Sequence, residues 1–93
     1  MKNIDTLPDL KVSIRDRRKV LFEGMAKALS SVNDVGDFDV LPEHANFISL
    51  IKDTVVLDKG TPHEKSFDID SGLLSVDENG VDVYVGLSPE EGE

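Results

Sequence analysis

The sequence predicts an all-β protein, a small antiparallel β-sandwich of about ten short strands in two sheets. Three observations carry that expectation. Nearly every patterned segment alternates apolar and polar residues with period two. The segments are short and bounded by Gly, Pro, Asn and Asp turns. And 93 residues allow one two-layer core and no second folded domain.

In chain order, residues 1–9 carry little pattern and form an N-terminal tail, with Pro8-Asp9 as a turn. Leu10, Val12 and Ile14 alternate with Lys11, Ser13 and Arg15, a half-buried strand. Asp16-Arg17-Arg18-Lys19 is then a hairpin tip. The cluster Arg15 to Lys19 is the only basic concentration in the chain, and a charge run of this kind is read first as a solvated loop and second as a dock for an acidic partner.

Val20 to Glu23 returns to the sheet, Gly24 permits a bend, and Met25 to Val32 continues extended. Ala26-Lys27-Ala28-Leu29 tolerates helix, but the next turn, Asn33 to Gly36, leaves too little room for one. From Gly36 to Leu41 the alternation resumes, with Phe38 and Val40 facing a core and Asp37 and Asp39 facing water. Pro42 ends that ladder because it has no N–H to donate. Glu43 to Asn46 rounds a polar corner into the apolar run Phe47 to Ile51.

Beyond that corner, Asp53 to Asp58 is β-branched and apolar, and Lys59-Gly60-Thr61-Pro62 is a turn. Ser66 to Asp70 and Gly80 to Val85 alternate again, and Asn79-Gly80 suits a type I′ hairpin turn. Ser88-Pro89-Glu90-Glu91 has the residues of a helix start, but residues 88–93 form only an acidic C-terminal tail. Phe22, Phe38, Phe47, Phe67 and the alternating aliphatics are the expected core.

Composition narrows the function classes. The formal charge is −9, which repels phosphate backbones and anionic lipid, so neither nucleic acid nor a membrane surface is an expected partner and a basic protein surface is. There is no cysteine, hence no disulfide, thiolate nucleophile or Cys metal site. No apolar run approaches membrane-spanning length and no secretory leader opens the chain.

No catalytic, cofactor or metal site is expected either. The sequence lacks a nucleophile elbow, a Gly-rich phosphate loop with Lys and a pair of His at ligand spacing. Asp77-x-Asn79-Gly80 lacks the Gly and Glu positions of a calcium loop. His63, beside Pro62, is a surface residue. His44 on its own is a corner histidine bonded to a nearby carbonyl.

Gly36-Asp37-Phe38-Asp39-Val40-Leu41-Pro42-Glu43-His44-Ala45 resembles the signature of the epsilon subunit of F-type ATP synthases. Upstream, Val20-Leu21-Phe22-Glu23-Gly24 resembles the second strand of that subunit's opening hairpin. Downstream, Phe67 to Val76 resembles its strand, Gly-containing turn and strand. The resemblance covers residues 10–87, which it makes one epsilon-like β-sandwich.

It implies a rotor subunit of the central stalk that couples rotation of the membrane c-ring to the gamma subunit and catalytic head during proton-driven or sodium-driven ATP synthesis. The subunit would be non-catalytic and monomeric when isolated, and peripheral on the cytoplasmic face of a bacterial inner membrane, or an equivalent organelle membrane, through the complex alone. Asp37, Pro42, Glu43, His44 and Ala45 would contact gamma and the c-ring, with Asp37, Glu43 and His44 on one polar corner. Glu43 stands where the family commonly has Gly, and Asn46 where it has Pro, which makes the tip more acidic. The pair of C-terminal helices that often follows in the family, and carries its ATP binding and inhibition of hydrolysis, has no counterpart in these 93 residues. The rival reading is a free-standing β-sandwich that binds an unrelated protein through the same tip or a sheet edge.

Overall fold

The computed structural model describes residues 9–42 and 46–86. Among these residues seven strands form in chain order: β1 (Leu10–Arg15), β2 (Val20–Ala26), β3 (Leu29–Asn33), β4 (Gly36–Val40), β5 (Phe47–Leu57), β6 (Lys65–Asp77) and β7 (Gly80–Val85). No helix occurs among the described residues, so the all-β expectation holds.

The count and connectivity differ from about ten strands in two antiparallel sheets. All seven strands belong to one hydrogen-bonded sheet, ordered β2-β1-β7-β6-β5-β3-β4, and β1 pairs with β7 in parallel, Val12 opposite Val81 through Arg15 opposite Tyr84. The segments read as separate strands at Phe47–Ile51 and Asp53–Asp58 are one long strand, as are those on either side of Ser71-Gly72. Bulges preserve the ladder through the bend. On β5 the register shifts between Lys52 and Asp53, where Asp53 adopts φ 71°, and Asp70 on β6 is left without an opposite residue.

The bend folds the sheet over itself. One layer holds β2, β1, β7, the later half of β6 and the first half of β5; the other holds the first half of β6, the later half of β5, β3 and β4. Between them lies an aliphatic core that includes the fully buried Val12, Ile14, Leu29, Val40, Val55, Leu74 and Val83. The phenylalanines do not form its centre. All four are half-buried, with Phe22 against Phe67 at 6.1 Å and Phe38 against Phe47 at 6.2 Å, both edge to face. Each pair joins the edge strand of one layer to the strand lying over it, closing the two open seams.

The crossing from β2 to β3 lies at Lys27-Ala28, not at Gly24, which stays in the ladder opposite Val12. The stretch Met25 to Val32 is thus broken rather than continuous. Asp58, in the β5–β6 turn, holds that corner: its carboxylate accepts the backbone N–H of Lys27 at 2.7 Å and of Ala28 at 3.2 Å, while its own N–H donates to the Ala28 carbonyl at 3.0 Å.

The β6–β7 turn also differs in type. Glu78 and Asn79 link Asp77 to Gly80, and neither has positive φ, so it is not a type I′ turn. Asp77 accepts the Asn79 N–H at 2.8 Å, and Gly80, at φ 144°, takes the conformation that other residues avoid. The β3–β4 turn repeats this solution, with Asn33 accepting the N–H groups of Val35 and Gly36.

Candidate docking face

The residues that the sequence singles out are only partly brought together. Asp37 is exposed on β4 next to the β3–β4 turn, whereas Pro42 is buried at the opposite end of that strand. The ladder between Asp37 and Val40 alone spans about 10 Å, so Asp37 does not share the Pro42 corner. Glu43, His44 and Ala45 lie outside the described residues, as do residues 1–8 and 87–93. Pro42 and Asn46 line a cleft with the start of β1 and the Asp77–Gly80 turn.

At the other end of β1, the basic cluster divides. Arg17, Arg18 and Lys19 are exposed in the hairpin tip, as a solvated loop requires. Asp16 folds that tip: the backbone N–H groups of Arg18 and Lys19 donate to its carboxylate at 2.7 and 2.9 Å, and these bonds hold its carboxyl below the ordinary value of 3.8. Arg15 is not part of the tip. It lies on the sheet, its guanidinium carbon 5.9 Å from the centre of the Tyr84 ring.

Arg15 belongs to a row that sequence reading missed. Across the ladder, Leu50 is opposite Leu73, Leu73 opposite Tyr84, and Tyr84 opposite Arg15. Directly opposed residues point to the same side of a sheet, so these four share one face. Their neighbours Ile14, Ile51, Leu74, Val83 and Val85 are buried on the other face, which makes this the outer one. Leu50 is 73% exposed, Ile48 one step along the same face is 69% exposed, and Tyr84 is 37% exposed. Core packing has no use for them. An outer-face apolar row, exposed at Ile48, Leu50 and Tyr84 and half-buried at Leu73, with Tyr and Arg at its end has the composition of a protein-binding face.

The signal was present in Phe47-Ile48-Ser49-Leu50-Ile51. An apolar run through an antiparallel strand puts apolar residues on both faces, and this fold buries one of them. Away from that row, Val35, 97% exposed, caps the β3–β4 turn close to Asp37. Among the described residues, no three metal-ligating side chains converge.

Comparison with known proteins identifies the family. A family model described as the β-sandwich domain of the ATP synthase delta/epsilon chain matches residues 9–86. An ATP synthase epsilon chain of a Sulfurovum species is 34% identical over 90 residues, covering 90% of this chain and 70% of its own length. One of a Nitratiruptor species is 33% identical over 85 residues, with 89% and 66% covered. Among solved structures, a chain of the Euglena gracilis mitochondrial ATP synthase, OSCP/F1/c-ring in rotational state 1, superposes with a TM-score of 0.75 at 13% identity, covering 86% of this chain and 52% of that one. A chain of the central stalk and c-ring of the Tetrahymena thermophila mitochondrial ATP synthase gives 0.65 at 11%, with 85% and 64% covered. At these identities the structural likeness is one of fold.

Proposed function

Because the chain belongs to the delta/epsilon-chain β-sandwich family of ATP synthases, we propose that it is an epsilon-type rotor subunit of the central stalk. In this reading it passes rotation of the c-ring to the gamma subunit and the catalytic head during ion-driven ATP synthesis. It holds no catalytic group of its own and is peripheral to the membrane, at its cytoplasmic face or the organelle equivalent, through the complex.

The observation that carries the reading is the outer-face row Leu50–Leu73–Tyr84, exposed at Leu50 and Tyr84 and half-buried at Leu73, with the exposed Ile48 beside it. A subunit that transmits torque needs a broad, rigid, partly apolar contact, and a flat sheet face braced by a close-packed core supplies one. Gamma is assigned to this face. The β3–β4 end, with Val35 and Asp37, is assigned to the c-ring; Pro42, Glu43, His44 and Ala45 are carried over from the family motif as further contacts with gamma or the ring. The net charge of −9 supports partners with basic surface. Family membership favours this reading over an unrelated free-standing binding module.

The test is binding of the purified chain to its cognate gamma subunit, followed by calorimetry. Ile48→Ser with Leu50→Ser is expected to leave the melting temperature unchanged, since both side chains are exposed, and to weaken binding by about tenfold or more. Binding as tight as the parent's would remove gamma from this face.

A further inference from the structure

We propose that Arg15 is held on the outer face as the anchor for a carboxylate on the surface that docks against Leu50, Leu73 and Tyr84; the proposal rests on the docking reading above and names the chemistry that the partner must bring. An arginine offers five N–H donors. Among the described residues its side chain makes one hydrogen bond, from Nη2 to Ser13 Oγ at 2.8 Å. Its Nε is buried and has no acceptor. Glu23 and Asp82 are both opposite Ser13 in the ladder, yet neither is within ion-pair distance of Arg15.

The guanidinium is therefore oriented without being satisfied. Ser13 fixes one of its nitrogens and the Tyr84 ring fixes its distance from the apolar row, while its charge has no counter-ion among the described residues. A buried donor with no partner is costly in a finished protein surface and reasonable in an interface half, where the partner supplies the acceptor. The planar fork of arginine matches a carboxylate with two parallel bonds, which a lysine ammonium cannot reproduce. Its place at the end of the apolar row also gives it a desolvated setting once a partner covers Leu50 and Leu73, where such a pair discriminates most strongly between correct and incorrect partners. Arg15 acts here as a specificity anchor, positioned by Ser13 and Tyr84.

The experiment measures the Kd of the full chain for its cognate gamma subunit alongside melting temperature, for the parent, Arg15→Lys, Arg15→Gln and Leu50→Ser. Arg15→Lys keeps charge and stem but loses the fork; Arg15→Gln keeps a polar head and loses the charge. We expect unchanged melting temperatures, about tenfold weaker binding for Arg15→Lys, and about thirtyfold or more for Arg15→Gln. If Arg15→Gln fails to fold, Arg15→Lys decides. Parent-like Kd in the folded Arg15 variants overturns the anchor, even if their melting temperatures fall. If Leu50→Ser alone weakens binding, the docking face stands and the anchor falls. If the parent does not bind gamma, or no variant changes Kd, the docking reading falls with it.

Discussion

Asp58 is the side chain whose removal should tell most about how this sheet keeps its shape. Its carboxylate joins the β5–β6 turn to a corner about thirty positions earlier, by accepting N–H groups from Lys27 and Ala28. Hydrogen bonds to a charged acceptor contribute about 1.5–3 kcal/mol each, and this half-buried site belongs at the lower end of that range. Asp58 also has φ 54°, a left-handed conformation that Asp tolerates better than Ala. Asp58→Ala should therefore cost about 2–4 kcal/mol, a large part of the about 5–15 kcal/mol that holds a small domain together. Asp58→Asn keeps a side-chain acceptor and tolerance of that φ, and should cost about 1 kcal/mol. Asp58→Gly loses the acceptor but not the conformational freedom, and should fall between the two. Urea denaturation with a shared m-value measures the series, and a loss of about 3 kcal/mol would lower the melting temperature by roughly 12–24 °C. The reasoning is refuted if Ala lies within about 0.5 kcal/mol of the parent, or if Ala and Asn are equally damaging.

Two further outcomes follow from the same geometry. Gly72 is buried on β6, and a Cβ there would lie 2.6 Å from the Tyr84 carbonyl oxygen and 3.4 Å from the Val85 Cα, so Gly72→Ala should force β6 and β7 apart and show as loss of amide protection across that pair; intact protection would show that the ladder can shift. Asp16 titrates below its ordinary value because the Arg18 and then the Lys19 N–H bonds favour the carboxylate. A depressed folded-state value contributes stability above the unfolded value and loses it as pH falls through the folded one, so the hairpin tip should loosen only below about pH 4. Carboxyl titration by NMR checks the direction, and a midpoint above 3.8 would contradict the two bonds.

Much of the fold was legible because period-two alternation is a local property. Val12, Ile14, Phe38, Val40, Val81 and Val83 face inward as their spacing requires, and Pro42 lies beyond the end of β4 because a missing N–H ends a ladder in any context. The motif from Gly36 to Ala45 likewise led to the right family, since it depends on residue identity alone. What the alternation could not show was continuity. Whether two apolar runs are two strands or one bent strand depends on bulges, and the one at Asp53 comes from β5 pairing with β3 while the one at Asp70 comes from β6 pairing with β5.

The parallel union of β1 and β7 joins the two ends of the described chain, a contact with no trace in either segment. Tertiary structure also decided the candidate site. Asp37 and Pro42 are close in sequence but stand at opposite ends of a strand, because a strand separates neighbours by about 3.3 Å per residue instead of gathering them. Leu50, Leu73, Tyr84 and Arg15 are scattered through the chain and become one row only when four strands align. Alternation is written residue by residue, whereas a face of a sheet is written by register, and register is settled by long-range pairing that no single segment contains.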